Sequence, residues 1–303
     1  MRYLVTGAAG FIGSHLAEAL LAAGHEVIGI DCFTDYYDPA LKEENARGLE
    51  LRRQDLAEDE LDFAGFDAVF HLAGRPGVRS FGDVFPVYLR DNLLASQRVF
   101  EAAARDGTRV VFASSSSVYG AAERYPTRED TSPQPLSPYG ITKLSCEHLA
   151  AAYGREFGLD CVVLRYFNAF GPRQRPDMAF ARIVNALAAG TRFELYGDGE
   201  QSRGWTYVAD VVDATIAAAR RGGGTYNVGG GHEASLNETI ALLEQISGRR
   251  LETVLQPVVP GDQSRTSADT TRIREELAWT PSVSLEDGLN AQWEWASTRV
   301  AAG

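Results

Sequence analysis

The sequence predicts an α/β protein with a doubly wound parallel sheet, and two observations lead there. Short apolar or β-branched runs at residues 2–6, 26–31, 49–54, 68–72, 109–114 and 160–167 have the length and bounding turns of buried strands. Between them lie longer helical stretches stopped by glycine: 11–23 before Gly24, 92–105 before Gly107, and 138–156 before Gly158. Strand and helix in repetition give a Rossmann-type sheet with right-handed crossovers. From about residue 168 the alternation loosens and Gly and Pro recur, as in Gly171-Pro172 and Gly229-Gly230-Gly231. Residues 1–167 are therefore expected as the Rossmann domain and 168–303 as a smaller, irregular α/β domain. A helical pattern over 205–219 followed by Tyr226-Asn227-Val228 predicts that about 205–228 returns to the first domain.

Three hundred and three residues suffice for a sizeable core. With 29 Lys and Arg against 41 Asp and Glu the net charge is −12, so the mean field repels polyanions and speaks against a nucleic-acid or anionic-membrane role. The three cysteines, Cys32, Cys146 and Cys161, have neither CxxC nor metal-ligand spacing and read as reduced, structural thiols. The chain enters its first strand with no basic leader or cleavage-site run, and no apolar run approaches the ~18 residues of a membrane span. A cytoplasmic location is the expectation. The five histidines show no HExxH or clustered spacing, so no metal is predicted, and His71, inside an apolar strand, reads as a core histidine. No GxSxG elbow accompanies the serines, which argues against a serine hydrolase.

Gly7-Ala8-Ala9-Gly10-Phe11-Ile12-Gly13 lies directly between the first strand and the first helix. Bare glycines there let the backbone approach a pyrophosphate, and the helix N-terminus offers unpaired N–H groups. A glycine turn of this kind also occurs without a ligand. Asp31, ending the second strand, adds the carboxylate that accepts from a ribose 2′-hydroxyl and repels a 2′-phosphate, favouring NAD over NADP. Asp55 and Leu56 close the third strand and either border the adenine or cap the strand end.

Tyr139 and Lys143 are four residues apart, on one face of a helix that begins after Pro138. A phenol is a poor base near neutral pH, and an ammonium one turn away stabilises its phenolate. A lone YxxxK is commonly solvated surface. Here Ser114-Ser115-Ser116-Ser117 follows a strand, which puts hydroxyls at the carboxyl end of the sheet, where such folds bind ligands. A plain strand-to-loop turn is the alternative.

These motifs, with His71-Leu72-Ala73-Gly74, Asn92, Arg165-Tyr166-Phe167-Asn168, Tyr196-Gly197-Asp198-Gly199 and Asn227-Val228-Gly229-Gly230, resemble the extended short-chain dehydrogenase/reductases of the nucleotide-sugar epimerase and dehydratase group, over nearly the whole chain. The resemblance implies NAD as cofactor, Tyr139 as acid/base, Lys143 as the residue that holds the nicotinamide ribose and tunes Tyr139, and Ser115 as a donor to the reacting oxygen. Ala73, Gly74 and Tyr166 join the cofactor residues. Gly74 stands where that group usually has alanine.

Related dehydratases carry an Asp-Glu pair after the catalytic hydroxyl, and related decarboxylases a glutamate in the same loop. Ser116 and Ser117 stand there instead, and neither can protonate a leaving hydroxide. What remains is oxidation and re-reduction at one carbon, a 4-epimerase. Arg175-Pro176-Asp177-Met178-Ala179, Asp35-Tyr36-Tyr37-Asp38-Pro39 and Gly77-Val78-Arg79 resemble UDP-glucuronate 4-epimerases, in which the arginine meets the sugar carboxylate. Two positions depart from that pattern: Arg173-Gln174 replaces Trp-Gly, and Asn168 replaces threonine and is more like epimerases of neutral UDP-hexoses. The implied clamp on the carboxylate is Ser116, Ser117, Asn168 and Arg175, with Arg79 also on the substrate. Arg203, Arg265 and Asp262 are the implied partners of the UDP moiety, each of which alone also reads as a salt-bridged loop residue. The group's members pair through two helices, so a homodimer through 92–105 and 139–156 is expected, using Leu93, Leu94, Val99, Phe100, Leu144, Leu149 and Tyr153. A UDP-hexuronic acid 4-epimerase is thus the leading expectation. Its rivals are a UDP-glucose or UDP-N-acetylglucosamine 4-epimerase and a non-catalytic NAD-binding regulatory protein, against which intact Tyr139, Lys143 and Ser115 argue.

Overall fold

The computed structural model describes residues 1–77, 82–258 and 263–300. Its first part runs β1 (Arg2–Thr6), α1 (Phe11–Ala22), β2 (Glu26–Asp31), α2 (Pro39–Asn45), β3 (Glu50–Arg53), β4 (Ala68–His71), α3 (Phe85–Tyr88), α4 (Ala95–Asp106), β5 (Arg109–Ser115), α5 (Pro138–Phe157) and β6 (Cys161–Tyr166). It continues through β7 (Ala169–Phe170), α6 (Ala179–Ala189), β8 (Phe193–Tyr196), β9 (Ser202–Tyr207), α7 (Val208–Arg220), β10 (Gly224–Val228), β11 (His232–Ser235), α8 (Leu236–Ser247), β12 (Thr253–Gln256), β13 (Arg265–Thr266), α9 (Thr271–Leu277) and α10 (Leu285–Val300).

Seven parallel strands form one sheet in the order β10-β6-β5-β4-β1-β2-β3. The order reverses between β1 and β4, and the crevice beyond their carboxyl ends is where such sheets receive ligands. The alternation of side chains explains the double winding. Tyr3 and Val5 face one side, against Leu16 and Leu20 of α1 and Val211 of α7, while Leu4 faces the other, with Val99 and Phe100 of α4 and Cys146 of α5. Strands buried on both faces read as continuous apolar runs, as the sequence shows.

Three boundaries differ from the expectation. The run 205–219 is not all helix: β9 occupies Ser202–Tyr207, and α7 begins at Val208. Trp205 marks the difference, because its ring stacks 4.0 Å from that of Phe180 in a second core. The helix expected from residue 92 starts at Ala95, preceded by a wide π-helical turn over Leu89–Leu94 that carries Asn92. Val99 and Phe100 are fully buried in the protein's own core, so they are not available to a second subunit, whereas Leu94 is exposed. The later chain forms a sheet of order β11-β9-β13, with β7 also on β9, and a separate β8 and β12 pair. Among the described residues no helix is long and apolar enough to cross a membrane.

A buried polar network ties the carboxyl ends of β5, β6 and β10 to α5. Glu147 and Arg165 pair at 2.6 Å with both side chains less than a tenth exposed. Ser114 Oγ donates to Glu147, Arg165 donates to the Tyr119 hydroxyl at 2.7 Å, and Tyr119 donates to Asn227 Oδ1 at 2.7 Å. Burial pushes the Tyr119 phenol up to about 12, which keeps it a donor. Removing one partner of such a pair leaves a bare buried charge, so Arg165→Met should lower unfolding free energy by about 3 to 5 kcal/mol in urea titration. Adding Glu147→Leu should recover part of that loss; a loss below about 1 kcal/mol from Arg165→Met alone would show that the pair holds little.

Candidate active site

One cleft lies over the carboxyl ends of β1, β2 and β4. Its floor is the turn between β1 and α1. A Cβ on Gly13 would sit 2.1 Å from the Gly7 carbonyl oxygen, so this turn closes only with glycine. The first turn of α1 has no acidic residue and no side-chain cap, leaving its N–H groups and positive dipole end facing the cleft. At the far end Asp31 is held by backbone amides, accepting from Phe33 N at 2.8 Å and Ala9 N at 3.2 Å.

The structure gathers every sequence-predicted cofactor residue on the lining of this cleft: Gly7, Gly10, Phe11, Ile12, Gly13, Asp31, Asp55, Leu56, Ala73, Gly74, Tyr139, Lys143 and Tyr166. Asp55 caps the chain after β3 and also lines the cleft. Its Oδ1 accepts from Ala57 N at 2.9 Å and its Oδ2 meets Arg90. Tyr166 turns its hydroxyl away, to Thr215 on α7 at 2.7 Å.

The other wall is α5. Ser137 caps it by accepting from Gly140 N at 3.1 Å, and Pro138 opens it, so the helix starts where Tyr139 must point inward. A Cβ on Gly140 would lie 2.5 Å from the Ser117 carbonyl oxygen, so this glycine lets the helix press against the serine loop. Lys143, 4% exposed, donates from Nζ to the Ala113 carbonyl at 2.8 Å, with Nζ 6.0 Å from the centre of the Tyr139 ring. Ser115 Oγ accepts from Ser117 N and donates to Ser117 Oγ, both at 3.1 Å.

Of the expected substrate residues, Arg175 lines this cleft, while Ser115, Ser116, Ser117 and Asn168 are not among its lining residues. Arg79 and Asp262 lie outside the described residues. Arg203 and Arg265 come together on neighbouring strands, with Thr266 opposite Arg203 in the register; Arg265 is paired with Glu233 at 2.6 Å. Asn168 has φ +40°, a region asparagine tolerates and β-branched residues resist. Its Nδ2 donates to Gly204 O at 3.1 Å and Thr266 Oγ1 at 2.8 Å, tying β6 to the smaller sheet. The departure at Arg173-Gln174 is also built in. Arg173 pairs with Glu18 of α1 at 2.7 Å, and buried Gln174 accepts from Ala181 N at 2.9 Å and donates to Ala169 O at 3.0 Å, fixing the loop that presents Arg175.

Sequence reasoning missed Lys42 and Arg75, which also line the cleft, and named Tyr36 only within a resembling segment without a role. Lys42 is 6% exposed and donates to Thr34 O at 2.7 Å; burial pulls its ammonium below the usual lysine value, opposed by nearby Asp31. Asn92 was legible as a motif position, but not as the clamp it forms: Oδ1 accepts from Arg75 N at 2.6 Å and Nδ2 donates to Thr142 Oγ1 at 3.0 Å, joining the loop after β4 to α5. A long-range amide contact of this kind has no local sequence signal.

These residues fit a dinucleotide: a Cβ-free turn at a helix N-terminus, a carboxylate at the end of β2, and a lysine held beside a tyrosine. The chain belongs to the NAD dependent epimerase/dehydratase family, whose model matches residues 3–229. A Bacillus subtilis protein described as an uncharacterized UDP-glucose epimerase, YtcB, is 42% identical over 98% of both chains. The UDP-glucose 4-epimerase of Mycolicibacterium smegmatis is 38% identical over 95% of this chain and 96% of its own. Among solved structures, the Bacillus cereus UDP-glucuronic acid 4-epimerase in complex with UDP-glucuronic acid and NAD superposes with a TM-score of 0.95 at 39% identity, over 99% of this chain and all of the other. NAD is the family's cofactor. Among the described residues no group of three His, Cys, Asp or Glu side chains is placed to hold a metal.

His71 underlies the cofactor loop. Its ring nitrogens meet Thr6 Oγ1 at 2.8 Å and Ser96 Oγ at 3.0 Å, and Thr6 Oγ1 also accepts from Ala73 N at 3.2 Å. Complete burial, then nearby Lys143, lowers His71 from 6.5 to about 3. The unfolded chain therefore binds a proton between those values that the folded chain refuses, so stability present above pH 6.5 is lost as pH falls toward 3. This one residue should contribute up to about 1.4 kcal/mol per pH unit to the slope of unfolding free energy in that window, and His71→Asn should remove it. Equal slopes for the two proteins would contradict the assignment.

Proposed function

We propose that this protein is a 4-epimerase of a UDP-hexuronic acid, interconverting UDP-glucuronate and UDP-galacturonate. The observation that carries the reading is that Tyr139, Lys143 and Arg175 line the same cleft. Residues 1–167 supply the cofactor end, and 168–303 most of the nucleotide-sugar end.

In this reading Tyr139 removes the proton of the sugar C4 hydroxyl and later returns it. Lys143, fixed by the Ala113 carbonyl, keeps positive charge beside the phenol and stabilises its anion. Ser115 donates to the reacting oxygen. The β1–α1 turn, Asp31 and Lys143 would hold NAD, which would supply the acceptor and donor of the C4 hydride. A 4-keto hexuronic acid is a β-keto acid and loses CO2 when its C5–C6 bond aligns with the carbonyl, so the carboxylate must be held. Arg175 provides two parallel donors and a permanent charge for this; Ser116, Ser117 and Asn168, expected as the rest of the clamp, do not line the cleft with it. Arg203 and Arg265 take the diphosphate, and Arg79 and Asp262 complete the substrate contacts. A homodimer through the turn before α4, the exposed face of α4 and that of α5, where Leu94 and Ile141 are open, belongs to the same reading.

The neutral-sugar reading rests on Asn168 and on the UDP-glucose 4-epimerase relative. The left-handed backbone at Asn168 and its tether to Thr266 account for asparagine there without invoking the sugar.

Tyr139→Phe should retain NAD and lose turnover by at least tenfold, since only the proton acceptor is removed; more than a tenth of the wild-type kcat would take Tyr139 out of this role. Arg175→Ala should lose about 2 kcal/mol, roughly thirtyfold in kcat/KM for UDP-glucuronate, the low end for a charge pair because Arg175 retains some exposure. Activity on UDP-glucose should change far less, and an unaltered kcat/KM for the acid would promote the neutral-sugar reading.

A further inference from the structure

Arg175 does not face the cleft as a bare cation. Its guanidinium is held in a fork by the chain's own Asp177, Nε to Oδ1 at 3.0 Å and Nη2 to Oδ2 at 3.2 Å. Asp177 is in turn held from across the cleft mouth, because the Tyr36 hydroxyl, from the loop between β2 and α2, donates to Oδ2 at 3.1 Å. The Arg75 guanidinium lies 4.6 Å from the centre of the Tyr36 ring, and Arg75 Nε is buried with no hydrogen-bond partner among the described residues. Tyr36, Arg75 and Arg175 all line the cleft.

A carboxylate arriving at Arg175 therefore meets a guanidinium whose Nε/Nη2 edge is already taken by another carboxylate of the same shape and whose positive charge is already shared. We infer that Asp177 is an internal competitor for the substrate's carboxylate and thereby sets the ratio in which acidic and neutral nucleotide sugars are turned over. The inference rests on the reading of Arg175 given above. An acidic sugar binds by exchange: its carboxylate takes the Nε/Nη2 edge of Arg175, and Asp177 stays with the Tyr36 hydroxyl. The exchange is feasible because the Asp177 side chain is 41% exposed, and an ion pair so open to water is weak. A neutral sugar has nothing to put into the fork. Without Asp177 it would leave the Arg175 charge unpaired beside a desolvated ligand, which disfavours it; with Asp177 that cost is absent. Asp177 thus lowers discrimination from both sides, weakening the acid and sparing the neutral sugar. The arrangement makes Asp177 a specificity-determining residue without any contact to the reacting carbon.

The test is the ratio of kcat/KM for UDP-glucuronate to that for UDP-glucose, in wild type, Asp177→Asn, Asp177→Ser and Arg175→Ala. The two Asp177 variants should raise the ratio two- to fivefold, mainly through a lower KM for the acid, and the serine variant guards against a loop defect peculiar to the amide. A loop that merely lost its shape would lower both activities together and leave the ratio where it was, which overturns the inference. Arg175→Ala should collapse the ratio. If it does while the Asp177 variants leave the ratio unchanged, the competitor role is wrong and the uronate reading stands; if Arg175→Ala leaves the ratio unchanged, both fall.

Discussion

The site depends on one buried ion pair, Glu147 with Arg165. Tyr139, Lys143 and Glu147 follow one another at helical spacing along a single face of α5, so the residue that grips the sheet and the residues that face the cleft share one rigid rod. Lys143 takes the Ala113 carbonyl and Glu147 the Ser114 hydroxyl, two consecutive residues at the end of β5. Arg165 then carries the connection through Tyr119 to Asn227 on β10. A shift of α5 along its axis would break these contacts together, which is how a helix and a strand end are held in a fixed relation.

A second constraint is electrostatic. The protein is acidic, yet its cleft is lined by Lys42, Arg75, Lys143 and Arg175. Each sits under backbone or side-chain control: Lys42 on the Thr34 carbonyl, Arg75 on the Tyr36 ring, Arg175 on Asp177. The same lining carries Asp31, Asp55 and Asp91, so the four cations offset the carboxylates of the cleft while the acidic exterior stays repulsive to polyanions.

The sheet was legible because parallel strands buried on both faces produce continuous apolar runs, and the glycine stops located the helix ends. The cofactor cleft was legible because it is local: a glycine turn, a strand-end carboxylate and a tyrosine-lysine pair each declare themselves within a few residues. The boundary at 202–208 was not, because β9 passes into α7 with no turn residue between Tyr207 and Val208. Lys42 and Arg75, and the roles of Tyr36 and Asp177 within their quoted segments, were hidden for a different reason. Their meaning comes from what the fold sets around them, such as Tyr36 against Asp177 across 141 residues, and ordinary surface residues have the same appearance in a sequence. Asn168 and Gln174 stood out as departures from a pattern, and backbone conformation and loop bracing supply their reason.

The most direct measurement is proton NMR of the sugar products when the purified protein, with no added NAD, is incubated with UDP-glucuronate and, separately, with UDP-glucose. The account predicts that UDP-glucuronate converts to a stable equilibrium mixture with UDP-galacturonate, without release of CO2 or appearance of a pentose, and faster than UDP-glucose converts to UDP-galactose. UDP-glucuronate left unchanged while UDP-glucose is epimerised would contradict it.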